Sequence, residues 1–294
     1  MKRLISLIPA LLALCAVSCS GSLAAEDEGA IERVPDAVSI RAQSENLWNK
    51  SDVISVFDAE FNKVNFKTVQ DNVPAATFST SAWTGKAPVY AAFCSRQNET
   101  TCTPDGVMGV FIKASQTSTK KGACPKEGDA SVGKITGSPG SYLVQMKSIA
   151  AFVKVNIKTK IVAKVNVTAI GGEIMNGYVD VDYAKLIAAE EPWWTPTDSK
   201  ATNSSASLVA AGGACFDTGE HLVAILPGTY SKGLKITVYG DDGKPLANAV
   251  IGETEGVSLK RGESVSFSVV IDTSSGYEGV SVEKPVVGPS LDFD

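Results

Sequence analysis

Ile149-Ala150-Ala151-Phe152-Val153-Lys154-Val155-Asn156-Ile157-Lys158-Thr159-Lys160-Ile161-Val162-Ala163-Lys164-Val165-Asn166-Val167-Thr168 decides the fold class. Ile149, Ala151, Val153, Val155 and Ile157 fall on one side of an extended chain, and Lys154, Asn156 and Lys158 on the other. The same alternation returns at Ile161, Ala163, Val165 and Val167 against Lys164, Asn166 and Thr168. A period of two places successive side chains on opposite faces of a sheet, so both runs are half-buried strands. The tight Thr159-Lys160 connection predicts that the two pair as a hairpin. Working outward, Leu222–Leu226, Leu234–Tyr239 and Ser264–Ile271 repeat the pattern, with Asp241-Asp242-Gly243 and Lys260-Arg261-Gly262 as turns. Val53–Phe57, Val64–Phe66, Val89–Phe93 and Val107–Ile112 have the β-branched and aromatic content of short strands. Only Tyr183–Glu190 suggests a helix. Strands at this spacing without helical intervals predict an all-β, antiparallel sandwich architecture. A Gly/Pro-rich break at Thr136–Gly140 divides the chain into halves of domain size, 37–140 and 141–294.

The chain has 294 residues, 44% hydrophobic and 20% charged, with 27 basic and 32 acidic residues for a net charge of -5. That balance excludes disordered, collagen-like and polytopic membrane classes. The absence of a Lys/Arg-dense run argues against a nucleic-acid partner, because phosphate binding depends on clustered positive charge. One histidine, His221, gives little to proton transfer or metal ligation, so an enzyme is not expected. Lys2 and Arg3 before the apolar run Leu4–Leu14 read as a secretory leader too short to span a bilayer. Ala16-Val17-Ser18-Cys19 resembles the lipobox of bacterial lipoproteins, which makes 1–18 the signal peptide and Cys19 the lipidated new N-terminus; ordinary cleavage near Ala24 or Ala25 is the alternative. Lipid at Cys19 anchors the protein to an outer membrane without spanning it. Without Lys2 and Arg3 the count becomes 25 basic against 32 acidic residues, a net -7. Residues 19–36 are small, polar and acidic, with no face to bury, and read as a tether.

A set of segments in order resembles the fimbrillin and Mfa-like family, the subunit lipoproteins of type V pili of Gram-negative bacteria. The segments are Trp48-x-x-x-Asp52-x-Ile54-x-Val56-Phe57-Asp58, Asn65-Phe66, Ala76-Thr77-Phe78 and Val89-Tyr90-Ala91-Ala92-Phe93. Ile112–Thr117, Met146–Val155, Val223–Tyr230 and Leu259–Gly262 follow, so that the resemblance covers roughly residues 45–270. It implies two transthyretin-like antiparallel β-sandwich domains, export as a lipoprotein, cell-surface location in a fimbrium, and a contribution to cell adhesion. It also implies assembly by strand exchange: a trypsin-like protease cuts after a basic residue, the N-terminal strand leaves, and a strand of another pilin subunit fills the groove. The physical logic is general, since an added strand satisfies a row of backbone groups and inserts alternate side chains into a core. Here Val34–Ala42 is the displaceable strand, Arg41 the first and Arg33 the second candidate for the cut. The tail carries Val280, Val282, Val286, Val287, Leu291 and Phe293 with no evident partner in its own chain and is a candidate donor. The mature chain also carries cysteines that typical members lack.

The remaining residue patterns are weaker. Cys94, Cys102, Cys124 and Cys215 allow two disulfides in three connectivities, and a Cys94–Cys102 bridge would close a small loop. They lack the close-spaced ligands of structural zinc, so no metal or other cofactor is expected. Ser118-x-x-Lys121 and Ser281-x-x-Lys284 match an acyl-enzyme nucleophile pattern but lack its companion elements, and read as chance. Asp180 and Asp182 read as a solvated sheet face, and Gly171-Gly172 and Gly212-Gly213 as turns without phosphate-loop context. His221 reads as packed or exposed, with nothing recognisable to orient it. Trp193 and Trp194, between Pro192 and Pro196, either plug a sandwich edge or stack on a sugar ring. Exposed, they would support the alternative function, a non-polymerising surface lipoprotein that binds glycans through aromatic loops.

Overall fold

The computed structural model describes residues 38–83, 85–198, 200–272 and 279–288. Cys19, Arg33, the Val34–Ala37 start of the displaceable segment, and Leu291 and Phe293 lie outside the described residues. The chain is all-β, with one α-helix among the described residues. In the first half the strands are β1 (Val38–Trp48), β2 (Val53–Asp58), β3 (Lys63–Lys67), β4 (Val73–Thr80), β5 (Pro88–Phe93), β6 (Thr101–Cys102), β7 (Val107–Ile112), β8 (Ser115–Ser118), β9 (Ser131–Thr136), β10 (Tyr142–Gln145) and β11 (Lys147–Ser148). The second half holds β12 (Ala151–Ile157), β13 (Lys164–Ala169), β14 (Asn176–Asp182), helix α1 (Tyr183–Ala188), β15 (Trp194–Pro196), β16 (Thr202–Asn203) and β17 (Ser205–Ala210). It continues with β18 (Gly219–Ile225), β19 (Gly228–Tyr230), β20 (Leu234–Tyr239), β21 (Pro245–Ile251), β22 (Val257–Leu259), β23 (Ser264–Asp272) and β24 (Gly279–Gly288).

The first sheet runs β10-β1-β4-β3-β2-β5-β9-β11, and β10 also pairs with β9, so the sheet closes on itself. Closure removes free edges and leaves an interior for alternate side chains. Ile40, Trp48, Ile54, Phe66, Phe78 and Phe93 fill it, and Trp48 sets its ring edge-on to Phe78 and Phe93 with centroids 4.9 and 5.2 Å apart. The outer face of β2, β5 and β9 is buried as well. Phe57, Ala92 and Val132 pack there against a second sheet, β15-β14-β7-β6, through Met108, Val110, Val179 and Val181. The turn Thr136–Gly140, which composition marks as the division, is the β9–β10 connection, and 142–148 return to pair with β1 and β9.

A third core lies between β18-β12-β23-β24 and β21-β20-β13-β17-β8, filled by residues such as Val153, Val155, Val165, Val167, Leu208 and Ile236. The two runs that announce strands in the sequence do not pair as a hairpin. β12 lies between β18 and β23, and β13 between β17 and β20. Alternation specifies which face is buried but not which strand is the neighbour. Here the two apolar faces oppose each other across the core, and the 158–163 connection is long enough to arch between sheets packed about 10 Å apart. β12 is buried on both sides: Val153 and Val155 face the third core and Phe152 the second. First-half strands also serve second-half sheets, since β7 pairs with β14 and β8 runs parallel to β17.

The tail differs from expectation. β24 pairs antiparallel with β23 over Gly279–Gly288, so Val280, Val282, Val286 and Val287 do have a partner strand in their own chain. The register shifts between Ser266 and Ser268, opposite Lys284-Pro285. Proline has no N–H to give a ladder, which confines it to an edge strand or a bulge; β24 supplies both. The short helix α1 begins where the Asp182 side chain accepts a hydrogen bond from Lys185 N at 3.1 Å, and it ends at Ala189 in the left-handed region.

Candidate functional site

β1 is the element on which the strand-exchange expectation turns. It lies between β4, antiparallel, and β10, parallel, with Ile40 opposite Phe78 on one side and Tyr142 on the other. Ile40 and Ala42 are fully buried, while Arg41 between them points outward and is exposed, opposite Thr77 and Leu143. A strand engaged on both edges does not offer its backbone to a protease, so cutting after Arg41 requires β1 to open first.

The far half of β1 is held differently, by side chains that reach the second half of the chain. Glu45 Oε2 accepts from Ser148 N at 3.2 Å, and Arg261 Nη1 donates to Glu45 Oε1 at 3.1 Å and to Ser148 O at 3.2 Å. Asn46 Nδ2 donates to Asp129 Oδ1 at 2.9 Å. Trp48 Nε1 donates back to Ala42 O at 3.0 Å, and Lys126 pairs with Asp52 at 2.6 Å. A cavity of 310 Å³ opens beside these groups, with Glu45, Asn46, Lys126 and Asp129 on its polar side and Phe152 and Leu222 on its apolar side. Burial pushes the Asp129 carboxyl up to about 6, against the opposing pull of Lys126 and the Asn46 hydrogen bond. None of Glu45, Asp129 and Arg261 stands out in the sequence, because their partners lie up to 216 positions away.

The other residues marked by the sequence are dispersed. Cys94 and Cys102 are not bridged, and Cys94, Cys102, Cys124 and Cys215 are all free thiols. Cys94 follows β5 of the closed sheet while Cys102 belongs to β6 of the second sheet, so closeness in sequence does not become a shared ladder. Burial raises all four thiols, Cys102 to about 12 and Cys124 well above its ordinary value, and this keeps them protonated. Trp193 is 3% exposed and donates its indole N–H to Glu191 at 2.9 Å. Trp194 is half-buried and donates to Pro227 O at 3.2 Å. Asp180 accepts from Thr197 Oγ1 at 2.9 Å, and Asp182 caps α1.

Ser118 and His221, unrelated in the sequence, meet. Ser118 ends β8, His221 lies on β18, and Ser118 Oγ is 2.7 Å from His221 Nδ1. Two positions earlier on β8, the buried Gln116 amide donates to Ala224 O at 2.7 Å and accepts from Ala224 N at 2.9 Å. Side chains of β8 thus seal the margin of β18 that is left without a partner strand among the described residues.

No family model and no curated protein sequence matches the chain. Solved structures do. A candidate cell adhesion protein from Bacteroides uniformis aligns with TM-score 0.51 and 14% identity over 87% of this chain and 99% of its own. A second, from Bacteroides ovatus, aligns with TM-score 0.50 and 11% identity over 88% and 100%. The fold is shared. The tip fimbrial protein Mfa3 from Porphyromonas gingivalis, truncated at its C-terminus, is also among the matches, at TM-score 0.39 and 10% identity over 84% and 98%. The structural neighbours are therefore Mfa-like fimbrial proteins and candidate cell adhesion proteins.

Proposed function

We propose that this protein is a pilin of a type V surface fimbria, exported as an outer-membrane lipoprotein through Cys19 and contributing to cell adhesion. In this reading it comprises two transthyretin-like domains, 37–140 and 141–294, with β7 and β8 lent by the first to sheets of the second. A trypsin-like protease cuts after Arg41, which detaches the start of β1, or after Arg33, which frees β1 from the segment before it, and a strand from another pilin takes the place of the start of β1. The observation that carries the reading is β1 itself: the first strand among the described residues, which fills a slot between β4 and β10, buries Ile40 and Ala42 completely and exposes Arg41 between them. Its departure would uncover paired backbone groups and core side chains together, and each buried Ile-sized side chain contributes about 1.5–3 kcal/mol to whichever strand fills the slot. The tail offers a matching strand. Val280-Ser281-Val282-Glu283 repeats the apolar-Ser-apolar-charged order of Val38-Ser39-Ile40-Arg41, and among the described residues its strand, β24, is the sheet's edge and pairs with β23 alone. Trp193 is buried and presents no free ring face on which a sugar could stack, which weighs against the glycan-binding alternative.

The test is digestion of the purified protein with an Arg-specific protease, followed by an unheated SDS gel and N-terminal sequencing. The proposal expects a new terminus at Ala42 or Val34 and a ladder of oligomers that collapses on boiling. A chain that is cut at either site yet stays monomeric, alone and when mixed with cleaved partner subunits, would sink it.

A further inference from the structure

Ser118, His221 and the backbone carbonyl of Asp217 form a hydrogen-bonded chain on the margin of the third core. The protonation pattern follows from the partners. His221 Nε2 lies 2.8 Å from the backbone carbonyl of Asp217, which only accepts, so Nε2 carries the proton. Nδ1 is then an unprotonated acceptor, aimed at Ser118 Oγ from 2.7 Å, and the serine hydroxyl donates to it. That is the arrangement which activates a serine: base within hydrogen-bond reach, and the base oriented by a third group. The imidazole is held rather than free. His221 is 4% exposed, and its ring packs at 4.9 Å between centroids against Phe216. Ser118 is half-buried and opens on a cavity of 140 Å³, with Ala210, Ala211 and Phe216 on its apolar side and Lys120 and Lys121 on its cationic side. Gly219 makes room for Lys121, whose Cδ would lie 3.0 Å from a Cβ at that position.

We propose that Ser118 is a reactive nucleophile that accepts a short acyl group from an ester. Drug-sized ligands occupy roughly 300–1,000 Å³, so a cavity this small selects acyl chains of a few carbons. Attack forms the bond between Ser118 Oγ and the acyl carbon and breaks the ester's bond to its alcohol. The hydroxyl proton passes to His221 Nδ1 and from there to the departing alkoxide, leaving an O-acyl serine and a free alcohol. Lys120 and Lys121 line the same cavity with Asp217, so its charged lining carries a net positive charge that favours a carbonyl oxygen as it becomes negative.

The experiment uses the full chain, a fluorophosphonate probe and 4-nitrophenyl acetate, with adducts mapped by mass spectrometry. The expected result is one adduct, on Ser118, absent in Ser118→Ala and at least about 100-fold slower in His221→Asn, the usual share of a general base. Because His221→Asn risks misfolding, His221→Gln is labelled beside it, and the circular dichroism of both variants is compared with the parent's. Lack of labelling of the parent, adducts spread over lysines and tyrosines, or a folded His221 variant that labels at the parent's rate would each overturn the proposal.

Discussion

Gln116 shows how much a single side chain carries here. Its amide supplies both hydrogen bonds that a neighbouring strand would otherwise give Ala224, and both residues are fully buried. Gly128 lies against it, where a Cβ would fall 2.8 Å from Gln116 Oε1 and 2.5 Å from Ala224 Cβ. Gln116→Leu keeps the volume and removes both bonds, leaving a buried N–H and C=O unpaired. We expect a loss of about 2–4 kcal/mol, read as a lower urea midpoint at unchanged slope. Asp129 acts in the opposite sense at neutral pH. Its folded-state pKa of about 6 lies above the unfolded value of about 3.9, so its contribution is fully present below pH ~4 and is lost as pH rises through 6. Asp129→Asn keeps an acceptor for Asn46 and removes that dependence. It should raise the unfolding midpoint above pH 7 and change little near pH 4, as followed by urea titration at both values.

At the scale of the element, β1 is two strands in function. Val38–Gln43 is held by ladders to β4 and β10, whereas Glu45 and Asn46 are held by Arg261, Ser148 and Asp129. The side-chain contacts anchor the second part to the later half of the chain and leave the first part dependent on its ladders. Weakening the anchor should therefore let the whole strand open more often. The Glu45–Arg261 pair is part-exposed, at 14% and 33% of the side chains, so about 0.5–1 kcal/mol is a fair size for its loss. Arg261→Ala should then raise the rate of Arg-specific cleavage at Arg41 about two- to five-fold under conditions where opening precedes cutting, measured by the timed appearance of the Ala42 terminus.

For the whole molecule the telling feature is shared strands. The closed sheet contributes one face to the first core and one to the second, and β12 contributes to the second and third. β7 pairs with β14 and β8 with β17, so both sheets join strands from before and after residue 150. Cores joined in this way lose stability together, so residues 38–272 should unfold in one calorimetric transition with matching calorimetric and van't Hoff enthalpies. Expressing 141–294 alone should give a protein lacking the partners of β14, β17 and Ala224. We expect lost near-ultraviolet circular dichroism and bound hydrophobic dye, whereas a well-folded fragment would show that β7 and β8 are dispensable.

The sequence by itself determined that the chain is made of strands and which of their residues face inward. That information is local: alternation at Val153, Val155, Val165 and Val167 reports a half-buried sheet whatever lies beside it. The in-order segments from Trp48 to Gly262 likewise carry the resemblance to the fimbrillin and Mfa-like family in the sequence alone. Partnership was decided only in three dimensions, because a strand's outward N–H and C=O groups look alike to every candidate neighbour. Hence β12 and β13 oppose rather than pair, the tail finds β23, and Cys94 and Cys102 part into different sheets. The same holds for chemistry. Ser118 and His221 are 103 positions apart and read as chance and packing, and only the approach of β8 to β18 places the hydroxyl on the imidazole.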